Sequence, residues 1–322
     1  MNEAKKLIVS HAPFVHNGNR IATRNYNIML AALPAVVAGV YRFGGSALGV
    51  LCLSTACAMG FELIMNLVTR RKISIGTGGA AVVGLMLGMM LPATAPWWLV
   101  VVGNFVAIVA AMQIYGGMGG NPFNPACTAM AILGISWKLR MNFDAAMVDI
   151  NTNFSMSYPM ALLKNFGPDS VSGLSMNGLL MGAQNGGIGT VFGLGLILGG
   201  LYLILRGYVR WEIPVAYLAG VAVTAALFAA AGSGKYAGPA IHLLSGYTLF
   251  GAFFLLPEDS SSPVNFLPMI LYGLLAGVLT VLIRDIGADV DGVVFSVLLV
   301  NLVHPLLDKI RPKALGKVVE HA

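Results

Sequence analysis

Two short runs hold most of the side chains in this 322-residue chain that could do chemistry. The first is Asp169-Ser170-Val171-Ser172-Gly173-Leu174-Ser175, a polar stretch in which an acid precedes three hydroxyls. A hydroxyl that is to be esterified by a phosphate must be exposed and mobile enough to enter a transferase. Ser172-Gly173-Leu174-Ser175 meets those needs: Ser175 offers the terminal oxygen, Ser172 a competing one, Gly173 the freedom, and Asp169 the acidic position. Read for its backbone alone, the same string is a turn. The second run is Gly116-Gly117-Met118-Gly119-Gly120-Asn121-Pro122-Phe123-Asn124-Pro125-Ala126. Its glycines free the backbone, its prolines remove N–H donors, and the amides of Asn121 and Asn124 both donate and accept. Polar groups at membrane depth are costly unless paired, so a bound heterocycle or ion is a fitting partner. The run also reads as a capped helix start, with Asn124 as N-cap and Pro125 first in the helix. Both readings can hold at once.

The elements that must position these runs are set by composition. The chain is 57% hydrophobic and 10% charged, with a mean hydropathy of +0.80, against roughly 25% charged residues in soluble domains. This is the composition of an integral membrane protein. Forty glycines spread through apolar runs suit closely packed membrane helices, because small residues let backbones approach in lipid. The first residues carry Lys5, Lys6, Arg20 and Arg24 without an apolar core, so no cleaved signal peptide is expected.

A membrane span needs roughly 20 apolar residues. About ten apolar segments recur, near 26 to 43, 46 to 68, 78 to 92, 97 to 115, 124 to 137, 187 to 205, 213 to 231, 240 to 256, 266 to 283 and 291 to 308. The third and eighth run into Leu91-Pro92 and Leu256-Pro257 before a full crossing is complete, which predicts broken helices. The string from Gly88 to Pro96 returns in altered form from Gly251 to Pro263. Five spans before and five after would run in opposite senses, and such inverted halves place exposed backbone at mid-membrane. Chance recurrence in a chain rich in Gly and Pro is the other reading of that repeat. The expectation is a single all-α membrane domain over residues 1 to 322. Its first half spans about 26 to 140, an outward polar segment about 141 to 186, and its second half about 187 to 308.

Basic residues orient these spans. With the N-terminus cytoplasmic, ten crossings put Lys5, Lys6, Arg20, Arg24, Arg70, Arg71, Lys72, Arg206, Arg210, Lys309, Arg311, Lys313 and Lys317 inside. Arg42, Lys138, Arg140, Lys164, Lys235 and Arg284 then fall outside, which follows the positive-inside bias. Both termini are expected in the cytoplasm and the net charge of +6 reports orientation in a lipid membrane. It forms no separate face for nucleic acid.

The two runs and their surroundings resemble the family of the D subunit of the Rnf electron-transport complex, related to the B subunit of the sodium-pumping NADH:quinone oxidoreductase. The resemblance extends from Leu7-Ile8-Val9-Ser10-His11-Ala12-Pro13 through the GGMGGNPFNPA run. It continues in His242-Leu243-Leu244-Ser245-Gly246, Gly251-Ala252-Phe253-Phe254, Asp291-Gly292-Val293 and Asn301-Leu302-Val303-His304-Pro305. It implies ten spans in inverted halves in the cell's inner membrane, and FMN esterified to a Thr in an outward loop. It also implies a second, non-covalent flavin, riboflavin or another FMN, near Asn121 and Asn124. The family string S-G-A-T is here Ser172-Gly173-Leu174-Ser175: serine keeps the nucleophilic oxygen, and Leu174 adds bulk beside it. Where the family tends to show T-D-P-V-T-S-P, this chain has Pro257-Glu258-Asp259-Ser260-Ser261-Ser262-Pro263.

Other polar residues read more plainly. Cys52, Cys57 and Cys127 lack CxxC spacing, so packing is expected in place of a disulfide or iron-sulfur site, and no metal ligand set is expected. His242 and His304, near helix ends, read as polar anchors. Glycine-rich strings follow membrane helices, not a strand, so no dinucleotide fingerprint is present. NAD and ferredoxin would be handled by partner membrane, iron-sulfur and flavin subunits of an Rnf complex, with electrons passing singly through flavins held here and linked to ion translocation. The chain would not be catalytic alone. Two further readings stay open: a channel or transporter for a small polar solute, and a flavin-free structural subunit.

Overall fold

The computed structural model describes residues 20 to 141, 143, 158 to 232 and 234 to 311. The resembling string at 7 to 13, His11, His16, His321, and Lys5, Lys6, Lys313 and Lys317 lie outside them. The described residues form helices and turns without a strand. In order these are α1 (Ile21–Val68), α2 (Gly79–Met90), α3 (Trp97–Phe105, continued by a π-helix at Val106–Gln113), α4 (Pro125–Ser136), α5 (Pro159–Phe166) and α6 (Met176–Leu180). There follow α7 (Gly193–Leu205), α8 (Glu212–Ala231), α9 (Pro239–Leu244), α10 (Thr248–Phe250, continued by a π-helix at Gly251–Leu255), α11 (Phe266–Asp285) and α12 (Val293–Leu307). Three of them, α1, α8 and α11, are long and apolar enough to cross a membrane, and α2, α3 with its π-helix, α4, α7 and α12 are shorter apolar helices.

The first two expected spans are joined in one element. At 48 residues, α1 would extend about 72 Å if straight, more than twice the roughly 30 Å hydrocarbon layer. Gly44, with φ 71° and ψ −155°, is its one non-helical residue. That backbone is open to glycine alone without strain, so it divides α1 into two arms whose bounds match the two expected spans. The arms have different neighbours. On the second, α2 comes so close that a Cβ on Gly84 would stand 2.8 Å from the Ser54 carbonyl. On the first lies α7, where a Cβ on Gly195 would stand 3.2 Å from the Ala35 nitrogen. Small residues also join α8 to α11: a Cβ on Gly220 would lie 2.8 Å from the Leu274 carbonyl.

Breaks fall at the expected prolines. Helix α2 is 12 residues long, about 18 Å, and stops before Leu91-Pro92. Its last carbonyls would be orphaned in an apolar interior. They are taken up by the segment before α7, where the Ile188 N–H donates to the Leu91 carbonyl (3.1 Å) and the Gly189 N–H to that of Met89 (2.9 Å). Tyr247 O–H donates to the Met90 carbonyl (2.8 Å). The expected sixth span is therefore shortened, because Ile188 and Gly189 serve as this cap and the helix starts at Gly193. The eighth is divided: α9 ends at Leu244, the chain turns through Gly246 at φ 68°, and α10 with its π-helix runs on to Leu255.

The described part of the expected outward segment is folded. Tyr158, Met160, Val171 and Leu179 are buried. Lys164 of α5 donates to the carbonyls of Arg284 (2.7 Å) and Gly287 beyond α11, a favourable place for a cation at a helix C-terminus.

Candidate functional site

The glycine-rich run and the break after the second π-helix meet at a cavity of about 480 Å³, bounded also by the start of α1, the loop before α2 and the end of the first π-helix. Asn121 lines it. Its amide donates to Glu258 Oε1 (2.8 Å) and to the Phe123 carbonyl (3.0 Å). Glu258 is a hub: Ser260 Oγ donates to Oε1 (2.7 Å) and Ser261 Oγ to Oε2. Next to it Arg24 of α1 pairs with Asp259. Across the cavity Asn25 donates to the Thr77 carbonyl (2.8 Å), and Arg71 to the Gly116 carbonyl (2.8 Å). Apolar walls come from Val82, Val83, Met112, Phe253 and Phe254. Glu62, buried in the second arm of α1, accepts from Ser74 Oγ (2.6 Å). The arrangement is an apolar pocket with a few convergent polar groups, the form small-molecule sites take.

Asn124 has a different place. It stands in the wall, 4% exposed, as the N-cap of α4: its Oδ1 accepts from the Cys127 N–H (3.1 Å). Its Nδ2 donates to the Leu255 carbonyl (2.9 Å), which closes the end of the second π-helix. With the Asn301 amide turned to satisfy its neighbours, that oxygen accepts from the Asn124 N–H (2.9 Å) and its nitrogen donates to the Ser261 carbonyl (3.2 Å). Capping with Pro125 first in the helix matches one of the two readings of the run. Only Asn121 of the two amides faces the cavity.

The hydroxyl run lies elsewhere, with α5 and the α11 end. Asp169 opens a short 3-10 turn, Pro168–Val171, and Ser172 Oγ donates to the Asp169 carbonyl (2.7 Å). Ser175 is the N-cap of α6: its Oγ accepts from the Gly178 N–H (3.1 Å). That bond uses one lone pair and leaves the O–H proton free. Asp169, Ser172, Gly173 and Ser175 are all exposed. Leu174 is half-buried and packs on the core. The turn reading matches the structure: the run is a 3-10 turn followed by the Ser175 N-cap.

Sequence reasoning did not bring together the Glu258 hub, the Arg24–Asp259 pair or a second buried cluster around Arg284 and Asp291, although Glu258, Asp259 and Asp291 stood in strings it quoted. The departure at residues 257 to 263 was the available signal for the first two. For the third there was only the lone arginine at the end of a span. The cysteines are free. His304 pairs with Asp308 four residues on (2.9 Å). Among the described residues no group of three or more His, Cys, Asp or Glu is placed to hold a metal.

Apolar helices, two of which stop short before proline with carbonyls taken up by distant segments, define an integral membrane protein. The chain matches the family model of NQR2, RnfD and RnfE over residues 8–316 and belongs to that family. It is 34% identical over 310 residues to the D subunit of the Na(+)-translocating ferredoxin:NAD(+) oxidoreductase complex of Acetobacterium woodii, covering 96% of this chain and 94% of that one. To the D subunit of the proton-translocating ferredoxin:NAD(+) oxidoreductase complex of Clostridium ljungdahlii it is 35% identical over 312 residues, covering 94% and 93%. To the D subunit of the ion-translocating oxidoreductase complex of Aeromonas salmonicida it is 35% identical over 348 residues, covering 96% and 98%.

Proposed function

We propose that the chain is the flavin-carrying membrane subunit of an Rnf-type complex, passing electrons between ferredoxin and NAD in a process coupled to ion translocation. The observation that carries this reading is the match along nearly the whole chain to relatives named as the D subunit of such complexes. Other subunits of the complex, in the membrane and with iron-sulfur and flavin groups, are its partners. They handle ferredoxin and NAD, for which this chain has no binding fingerprint.

The residues present fit two flavins. The cavity of about 480 Å³ lies within the roughly 300–1,000 Å³ of small-molecule sites. Its phenylalanine wall suits a flat ring, and Asn121 with Glu258 suits the ring's polar edge or a sugar-alcohol chain, as in riboflavin or FMN. The exposed Ser175 oxygen suits a phosphoester to FMN, with Ser172 as the competing hydroxyl, Gly173 leaving the approach open and Asp169 exposed beside it. When bound, flavins supply the electron-transfer chemistry, and the protein supplies position, burial and hydrogen bonds.

Ten crossings in two inverted halves follow from the same reading. The two arms of α1, then α2, α3 and α4, make the first five, and α7, α8, the α9–α10 pair, α11 and α12 the second. The related breaks after Met90 and Leu255 support the relation between halves. Arg24, Arg71 and Lys72 all border the cavity, and with the sequence-wide bias of Lys and Arg this supports a cytoplasmic cavity. The hydroxyl run is then outside the inner membrane.

The test is flavin analysis of the purified complex. The denatured subunit should carry covalent flavin that Ser175→Ala abolishes, and the supernatant should hold a second flavin that Asn121→Leu removes. A native complex with no flavin on this subunit refutes the assignment and favours the structural-subunit reading. Solute-selective swelling of vesicles holding the subunit alone would favour a channel.

A further inference from the structure

The buried cluster around Arg284 holds a pair of titratable groups that neither flavin site uses. His242, in α9, is fully buried, and Asp285 closes α11 with its side chain 5% exposed. The imidazole Nε2 stands 3.7 Å from Asp285 Oδ1, too far for a hydrogen bond and near enough for an ion pair. Among the described residues, neither ring nitrogen has a hydrogen-bond partner, nor do Asp285 Oδ2 and the buried Ser245 Oγ. Buried polar atoms are paired as a rule, so four orphans around one pair require an explanation.

The backbone fixes this arrangement. The His242 carbonyl accepts from Arg284 Nη1 (2.8 Å) and Thr248 Oγ1 (2.7 Å), and the Ser245 carbonyl accepts from Thr248 Oγ1 (3.2 Å). Arg284 itself pairs with Asp291 Oδ1 (2.8 Å). Asp291 in turn accepts from the Tyr247 N–H (2.8 Å) and from Tyr158 O–H (3.1 Å) on its other oxygen. The ionisable groups facing the pair are Arg284 and Asp291 beside His242, and Arg284 and Lys164 beside Asp285; the tyrosines 158 and 247 stand behind Asp291. Tyr217 of α8 is engaged with Thr280 (3.2 Å).

We propose that His242 and Asp285 form a buried proton-binding site, exchanging a proton with the aqueous phase at the α11 end of the subunit. A proton needs only two heavy atoms drawn within hydrogen-bond distance, and an approach of a little under 1 Å along the Nε2 to Oδ1 line supplies that. A metal cation is disfavoured. Hard cations take about six or more oxygens, here one carboxylate and one serine hydroxyl are free, and the Arg284 guanidinium and Lys164 ammonium stand beside them. The pair lies where α11 ends, Asp285 being its last residue, and the chain runs on through the turn that begins at Ile286. A hydronium that delivers its proton to the pair leaves as neutral water, and the reverse step restores it. The inference does not depend on either flavin.

Infrared difference spectroscopy of the assembled complex, stepped through about pH 5 to 8 where imidazole ordinarily titrates, tests it. A carboxyl signal and an imidazole signal should change together, because interacting groups titrate as one unit. Asp285→Asn, which keeps size and hydrogen-bonding capacity, should remove the carboxyl signal and move the imidazole half-titration point by on the order of one pH unit. His242→Gln should abolish the imidazole change and displace the carboxyl one. In wild type alone, a pair that stays in one protonation state across that range overturns the proposal. So does an imidazole signal that Asp285→Asn leaves unmoved.

Discussion

The wall residue Asn124 separates two roles that one mutation could confuse, capping of α4 and contact with a ligand. Its Oδ1 holds the Cys127 N–H, and its Nδ2 holds the Leu255 carbonyl at the end of the second π-helix. Asn124→Ser keeps the cap, since a serine oxygen reaches the same N–H, and loses the reach to Leu255. A buried carbonyl left unpaired costs about 1–3 kcal/mol. Asn124→Ala loses the cap as well, worth about 1 kcal/mol, so its total is about 2–4 kcal/mol. Asn121→Ala should cost about 1 kcal/mol, because Glu258 keeps its bonds from Ser260 and Ser261. Graded detergent unfolding of the purified complex should then rank stability as wild type, Asn121→Ala, Asn124→Ser and Asn124→Ala. Flavin release from the same samples should rank differently, with Asn121→Ala losing most of the non-covalent flavin and Asn124→Ser, assayed while folded, retaining it. If Asn124→Ser empties the cavity at unchanged stability, Asn124 is a ligand contact and the structural account of the wall is wrong.

In-gel fluorescence of the denatured subunit, with the matching transferase present, should vanish in Ser175→Ala and persist in Ser175→Thr; loss in Ser172→Ala alone would move the ester three residues upstream. Gly44→Val, which puts a β-branched residue at φ 71°, should leave little assembled complex on a native gel, and wild-type yield would mean the bend of α1 does not need glycine. Asp291→Ala leaves Arg284 buried without its partner, a loss of about 3–5 kcal/mol, and should be absent from membranes where Arg284→Met with Asp291→Leu is partly recovered. In a background without Cys52, Cys57 and Cys127, an impermeant thiol reagent on intact cells should label Ser172→Cys and spare Thr69→Cys; the opposite pattern inverts the orientation.

How much of this was legible in the sequence depends on how local its cause is. The breaks at Leu91-Pro92 and Leu256-Pro257 were readable because proline acts on its own neighbours. So was the Asn124 cap, where cap and first helical residue are adjacent. The bend of α1 falls at Gly44, between the two expected spans, so its two arms are those two helices. The shortened sixth span and the divided eighth were not readable. Residues 187 to 189 leave the helical path to cap carbonyls about a hundred positions earlier, and nothing in their own types marks that task. The same holds for the site. Asn121 was visible as an amide in an apolar run, but its partner Glu258 is 137 residues away, and the burial of His242 against Asp285 is a product of α9 meeting α11. Both π-helices were also invisible, since their extra residue per turn is a packing outcome.

The two breaks are similar in sequence and opposite in use, and this bears on where the cavity beside Asn121 lies among the described residues. After Met90, every freed carbonyl is taken by protein: two N–H groups from the segment before α7 and the hydroxyl of Tyr247. A Cβ on Gly187 would lie 2.7 Å from the Met90 carbonyl, so the backbones touch and no room remains. After Leu255, the ties come from side chains, the Asn124 amide and the serines that hold Glu258. Side chains hold a break at arm's length where backbone closes it, and the cavity beside Asn121 is the space that difference leaves. Closed on one break and open on the other, the pair ties the segment that follows the hydroxyl run to α2 and leaves a cavity beside Asn121. Filling the open break should therefore abolish ligand binding without disturbing the closed one. Gly117→Leu would put a branched side chain at φ 96° beside Gln113 and Arg71 at the cavity edge, and should lower non-covalent flavin while Ser175 fluorescence is kept. Loss of both together would mean that the two breaks fold as one unit and that their division into a closed and an open one is mistaken.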